Sequence, residues 1–113
     1  MEAVKQYEVW WASLPKPAGR RPVLLLSRDS AYDYLSKFVA VEITSTIRRI
    51  AVELMLGRAE GLPRQCAANF DNIRTVPRSA LRERIGRLAA PRYPEAKRAA
   101  GHALAWNELI DAG

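Results

Sequence analysis

The sequence predicts a mainly β fold with short helices, a small SH3-like barrel of strands closed by one C-terminal helix. Three observations lead there. Short aromatic or β-branched runs recur from residue 7 to residue 88, each ended by Pro, Gly or polar residues. Beyond Pro91 the apolar spacing changes to three and four, the mark of an amphipathic helix. The chain has 113 residues, 49% of them apolar, which suits one compact domain over residues 1–113.

The elements follow in order. Tyr7–Leu14, YEVWWASL, is aromatic and β-branched and reads as a strand. Trp10 and Trp11 then point to opposite faces, so one belongs to the core and the other to a base stack or an interface. Pro15–Gly19, PKPAG, ends that strand. Arg21 precedes Pro22 and is biased to extended geometry, and Pro22–Ser27, PVLLLS, reads as a strand buried on both faces. Arg28–Ser36 is a polar loop with room for one helical turn. Lys37–Ser45, KFVAVEITS, alternates and reads as a strand, and Ile50–Met55 as another. Gly57–Pro63 is a turn. Gln65–Phe70 and Asn72–Val76 read as two short strands meeting near Asp71 and Asn72. Pro77–Leu81 allows one helical turn with Pro77 just inside it. Glu83–Leu88 is short, with apolar residues in alternate places. Ala96, Ala99, Ala100, Ala103, Trp106 and Ile110 then mark the closing helix, which puts Trp106 in the core or in dimer packing.

Composition removes several chemistries. Cys66 is the only cysteine and His102 the only histidine, so an internal disulfide, a cysteine-based zinc site, a Cys–His nucleophile and a two-histidine acid–base pair are all excluded. Cys66 reads as a small buried hydrophobe and His102 as a structural residue. No metal and no cofactor are expected. The start, Met1–Gln6, is polar and charged, and no apolar run of about 18 residues exists to span a bilayer. A cytoplasmic protein that makes no use of a membrane is the expectation.

Charge points to a polyanion. The net charge is +6, and arginine outnumbers lysine fourteen to four. Eight basic residues lie between Arg74 and Arg98 against Glu83 and Glu95. Arginine forks grip phosphate bidentately, which lysine does not. Arg82, Arg84 and Arg87 are expected on a solvated basic face.

Taken as a series, VWWASL, GRRPVLLLSRD, VAVEITST and GLPRQCAANFDNIRTVPRSALRERIGRL resemble the MazF/PemK family of toxin endoribonucleases, with GRRPVLLLS the most specific piece. The resemblance covers roughly Tyr7 to Leu88. It implies an SH3-like barrel of five to seven strands assembled as a homodimer. It implies metal-free cleavage of single-stranded RNA, and inhibition by a cognate antitoxin whose acidic C-terminal segment lies across the RNA groove. By the same resemblance Arg21, directly before the proline of the RPV strand, and Thr44, in EITST, are the catalytic pair. Arg20, Arg28, Ser45, Thr46, Arg74 and Trp11 are the residues expected to contact RNA. This chain departs from the family in three places, one of them Ser13, which stands where an aspartate is usual after the aromatics. Tyr7 stands where a glycine is usual, and PKPAG is shorter than the usual first loop and lacks its acidic residue.

The residue types suit that chemistry. Metal-free RNA cleavage uses the ribose 2′-OH as nucleophile, so the protein must align it and stabilise charge growing on the phosphate oxygens. Arginine keeps its charge at any cellular pH, and a threonine hydroxyl can donate to a phosphate oxygen. Two alternatives stay open. One is a toxin of the same fold that inhibits DNA gyrase; the other is an RNA-binding module without catalysis.

Overall fold

In the computed structural model, residues 3–111 are described. Six antiparallel strands form one curled sheet: β1 (Glu8–Ser13), β2 (Arg20–Leu25), β3 (Lys37–Thr44), β4 (Glu53–Leu56), β5 (Cys66–Pro77) and β6 (Leu81–Arg87). Their order across the sheet is β4-β5-β3-β2-β1-β6. The expected small barrel is thus a half-barrel whose two edge strands, β4 and β6, do not pair with each other. One helical turn, α1 (Ala31–Tyr34), links β2 to β3, and α2 (Tyr93–Leu104) and α3 (Asn107–Ile110) close the chain. No helix among the described residues is long and apolar enough to cross a membrane.

The central strands are buried on both sides, as the run of Val23, Leu24 and Leu25 predicts: all three are fully buried. Leu24 joins Val9, Val41, Ile43, Leu54 and Phe70 on the face that α2 covers through Ala96 and Ala99. Val23 and Leu25 join Trp10, Phe38, Ala40 and Val76 on the other, which Tyr32 and Leu81 help to cap. Of the tryptophan pair, Trp10 is the core residue, 2% exposed, and its indole N–H donates to the Glu8 carboxylate at 3.0 Å.

Tyr7, in the place where a glycine is usual, has φ 69°. That left-handed conformation costs a side-chain-bearing residue about 1–2 kcal/mol. The ring offsets it by stacking on Tyr93, with centroids 3.9 Å apart and planes 16° from parallel. This contact ties the entry to β1 onto the start of α2.

Four expectations are corrected. Gln65–Phe70 and Asn72–Val76 form one long strand, β5, because both halves pair with β3. The foreseen junction survives as a break in register: Ile43 pairs with Ala68, but Val41 pairs with Ile73. Pro77 ends β5 in extended geometry, and the helical turn after it is Arg78–Ala80. Ile50–Val52 lies outside β4, which starts at Glu53. Finally, the closing helix stops at Leu104, where Ala105 turns left-handed at φ 57°. Trp106 falls in the joint before α3 and is 51% exposed, so it is no part of the core.

Arg82, Arg84 and Arg87 are exposed, as expected of a solvated basic face, and each also makes a contact within the chain. Arg84 pairs with Glu8 at 3.2 Å, Arg82 donates to the Ser79 carbonyl at 2.6 Å, and Arg87 donates to the Tyr93 hydroxyl at 2.8 Å. Arg92 reaches Glu60, Glu95 and the Met55 carbonyl, so it fastens α2 to the sheet. The hydrogen bond to Glu95 holds the Arg92 guanidinium above its ordinary pKa and the Glu95 carboxyl below its own. Part of the basic cluster between Arg74 and Arg98 thus also fastens the fold.

Candidate active site

The strands β2 and β3 pair with Val23 against Glu42, Leu24 against Val41 and Leu25 against Ala40. Carried on in the same direction, this register sets Arg21 opposite Thr44, at the end of the sheet where β2 begins and β3 finishes. There the strands open into a cleft of about 230 Å³. Its floor and walls come from Trp11 on β1, Arg20, Arg21 and Pro22 on β2, Ile43 and Thr44 on β3 with Ser45 beyond it, and the segment Leu62, Pro63, Arg64 and Cys66 leading into β5. Three arginines and no carboxylate line it, so its charge suits an anion.

The order of the strand explains this placement. Alternation sends Arg21, Val23 and Leu25 to one face of β2 and Arg20, Pro22 and Leu24 to the other. Hydrophobic burial of Leu24 and Leu25 anchors the strand, and both arginines emerge at its open end. Arg20 lies over the indole of Trp11, its guanidinium carbon 4.7 Å from the ring centre. Arg21 meets Glu42, with Nη1 3.4 Å from Oε1. Arg74, from β5, meets the other oxygen of the same carboxylate at 2.8 Å.

The Thr44 hydroxyl is held by its own chain. Its Oγ1 accepts the backbone N–H of Thr46 at 3.1 Å. That bond occupies a lone pair and leaves the hydroxyl proton available to donate outward. Thr46 serves by this backbone contact; Ser45 lines the cleft itself. Cys66 is 7% exposed in the cleft wall, and burial pushes its thiol pKa up. It behaves there as the small hydrophobe expected of it. His102 is exposed on α2, away from the cleft.

Of the residues singled out from sequence, Arg20, Arg21, Trp11, Thr44 and Ser45 are brought together, with Thr46 one contact behind and Arg74 reaching Arg21 only through Glu42. Arg28 is not. It follows the far end of β2 and donates from Nε to Ser30 Oγ at 3.0 Å, beside α1. Two participants were missed. Arg64 supplies the third cationic side chain of the cleft, and Glu42 links Arg21 to Arg74. Arg64 stands between the turn expected over Gly57–Pro63 and the strand expected over Gln65–Phe70, and belonged to neither. Glu42 stands two residues before Thr44, on the same face of β3, and that alternation was the available signal.

Among the described residues no group of three or more His, Cys, Asp or Glu stands close enough together to hold a metal ion. The family model for PemK-like, MazF-like toxins of type II toxin–antitoxin systems matches residues 5–104.

The chain belongs to this toxin family.

Relatives agree. A protein of Mycobacterium tuberculosis named probable endoribonuclease MazF2 is 44% identical over 94 residues, covering 82% of this chain and 90% of its own length. Probable endoribonuclease MazF5 of the same organism is 41% identical over 83 residues, covering 73% of this chain and 75% of its own. Among solved structures, the Mycobacterium tuberculosis toxin MazF-mt6 superposes with a TM-score of 0.81 at 31% identity, over 87% of this chain and 96% of that one. MazF from Deinococcus radiodurans shares the fold, with a TM-score of 0.76 at 22% identity over 93% of this chain and 99% of its own. The curled six-stranded sheet with its C-terminal helix is therefore the MazF toxin fold.

Proposed function

We propose that this MazF-like toxin is a metal-independent endoribonuclease that cuts single-stranded RNA at short motifs by attack of the ribose 2′-OH. One observation carries the reading: Arg21 and Thr44, from neighbouring strands, share a cationic cleft with a partly exposed tryptophan. Relatives named as probable endoribonucleases support the reaction class.

In the proposed reaction the 2′ oxygen forms a bond to phosphorus as the bond to the 5′ oxygen breaks. The 2′ proton passes to water and the 5′ oxygen takes one from water, which yields a 2′,3′-cyclic phosphate and a free 5′-hydroxyl. Negative charge builds on the non-bridging oxygens meanwhile. Arg21 meets that charge with fixed N–H donors, and Thr44 donates its free hydroxyl proton to the same phosphate. No carboxylate or histidine lines the cleft, so stabilisation of charge and alignment, rather than proton transfer by a side chain, carry the rate. Arg20 and Arg64 hold neighbouring phosphates, and Trp11 stacks a base.

The remaining parts of the reading follow from the family. A cognate antitoxin with an acidic C-terminal segment fits the arginine-lined cleft and blocks RNA there. Residues 1–113 act as one toxin domain, paired as a homodimer, to which exposed Leu104 and Trp106 offer apolar area. RNA is the substrate, so the cytoplasm is its place of action.

The test is cleavage of a mixed single-stranded RNA pool in EDTA. Cutting at recurrent motifs with cyclic phosphate ends, abolished by Arg21→Ala in a folded protein, supports the reading. Tight binding that leaves the RNA intact points to a non-catalytic module, and inhibition of gyrase supercoiling without RNA cleavage to a gyrase poison.

A further inference from the structure

Glu42 stands behind Arg21, half-buried with its side chain 16% exposed, and both of its oxygens meet arginines. The two contacts differ. Arg74 holds Oε2 at 2.8 Å, within the range of a strong charge-assisted bond, while Arg21 meets Oε1 at 3.4 Å. The carboxylate is therefore fixed from the β5 side and only leans on Arg21, through one of that residue's five N–H groups. The backbone around it is specialised as well. On β3, Glu42 alone separates Val41 from Ile43, yet on β5 residues 69–72 lie between their partners Ile73 and Ala68. Bulges of this kind re-aim a side chain beside a site. Arg74 is committed to the arrangement: its buried Nε–H has no hydrogen-bond partner, and its Nη1 forms an ion pair with Glu42.

We propose that Glu42 is the positioning residue of Arg21, with Arg74 as its anchor. The inference rests on the nuclease reading above. A free arginine side chain explores many rotamers, and only a few aim its fork at the phosphate. A carboxylate behind the fork restricts that search before RNA arrives, and the long contact lets Arg21 keep most of its donors for substrate. The gain falls on the chemical step, because the fork is already aligned when charge develops.

Glu42→Gln keeps the side-chain volume and removes the charge. Single-turnover cleavage by E42Q is expected to fall about 10- to 100-fold, with KM close to that of the parent. Arg74→Gln, which leaves the carboxylate but loosens it, shifts the rate the same way, and the double variant is no worse than E42Q alone. R74Q also serves if E42Q melts out at the assay temperature. A second readout needs no catalysis: side-chain 15N NMR of Arg21 in RNA-free protein shows hindered guanidinium rotation in the parent and free rotation in E42Q. Full or raised cleavage in E42Q, a loss confined to KM, or Arg21 rotation that ignores residue 42 overturns the proposal. If the parent itself cuts no RNA, the nuclease reading fails, and the NMR comparison still decides whether Glu42 restrains Arg21.

Discussion

The guanidinium carbon of Arg20 lies over the Trp11 ring, 4.7 Å from its centre, and both residues line the cleft that Arg21 and Thr44 share. The contact crosses the β1–β2 pair, where Trp11 stands opposite Pro22 and Ser13 opposite Arg20. An aromatic plane is thereby fixed in orientation beside a second cation. Stacking on such a plane is worth about 1–3 kcal/mol per base. Trp11→Ala should weaken single-stranded RNA binding by about 5- to 150-fold, the equivalent in Kd. Trp11→Phe should keep most of the affinity. Fluorescence anisotropy on an Arg21→Ala background reads this with the RNA intact, and an unchanged Kd for W11A would remove Trp11 from the RNA path.

Thr44 gives a sharper test of chemistry. Its oxygen already accepts the Thr46 N–H at 3.1 Å, so only the hydroxyl proton is free for substrate. Thr44→Val keeps the β-branched shape on β3 but deletes that donor, and the exposed Thr46 N–H can turn to water. The cleavage rate should fall about 10²–10³-fold, the usual effect of losing one donor to developing charge. Thr44→Ser should retain most of the rate. Equal rates for the valine and serine variants would show that the hydroxyl does not act.

Arg64 separates binding from chemistry. It lines the cleft from the segment before β5, across from Arg20 and Arg21. If it neutralises one phosphate, Arg64→Ala should flatten the plot of log affinity against log salt by about 0.7, the increment for one contact on a single strand. Its effect on the cleavage step at saturating RNA should be small. A full salt slope in R64A would place that side chain off the RNA path.

Legibility in the sequence varied with the kind of information each element carries. β1, β2 and β3 were readable because their apolar residues are either alternating or continuous, and burial enforces both patterns. The Arg21–Thr44 pairing was readable only through the family resemblance. Its geometric cause is the register of β2 on β3, which no local spacing records. β5 was read as two strands because Asp71 and Asn72 look like a turn; the chain uses them to absorb a register break within one strand. Arg84 was expected on a solvated face and is exposed there, but its ion pair with Glu8 was not legible because that partner lies far off in sequence. Trp106 was misplaced because helical spacing runs on past Ala105, where the backbone turns left-handed.

Gly86 should be intolerant of any side chain. A Cβ there would come within 2.2 Å of the Glu60 carbonyl oxygen and 2.8 Å of its carbon, both backbone atoms. The approach presses β6 against the 3-10 turn Arg58–Glu60, directly before the Leu62–Cys66 wall of the cleft. Gly86→Ala must push the two backbones apart, which costs about 1–3 kcal/mol in a packed interior. Thermal melting should drop by several degrees, and cleavage should fall with it as the wall shifts. An unchanged melting temperature would show that this contact is slack.

Tyr32 should shape stability at high pH. Burial, reinforced by the negative charges of Asp29 and Glu8, raises its phenol well above the ordinary value of 10.0. The hydroxyl donates to the Ser27 carbonyl at 2.9 Å. In the unfolded chain the phenol ionises near pH 10, while in the folded protein it stays neutral. The stability tied to Tyr32 is therefore complete below about pH 10 and is lost progressively as pH rises toward the folded pKa, since the unfolded state releases its proton first. Tyr32→Phe deletes that hydroxyl and its hydrogen bond, so the variant should be less stable at pH 8 by about 0.5–1.5 kcal/mol. Between pH 10 and 11 the parent should lose stability faster, and the gap should narrow. Tyr7, also raised by burial, keeps some alkaline slope in both proteins. Urea unfolding from pH 8 to 11 reads the difference directly, and parallel curves for parent and variant would mean that Tyr32 ionises as readily folded as unfolded.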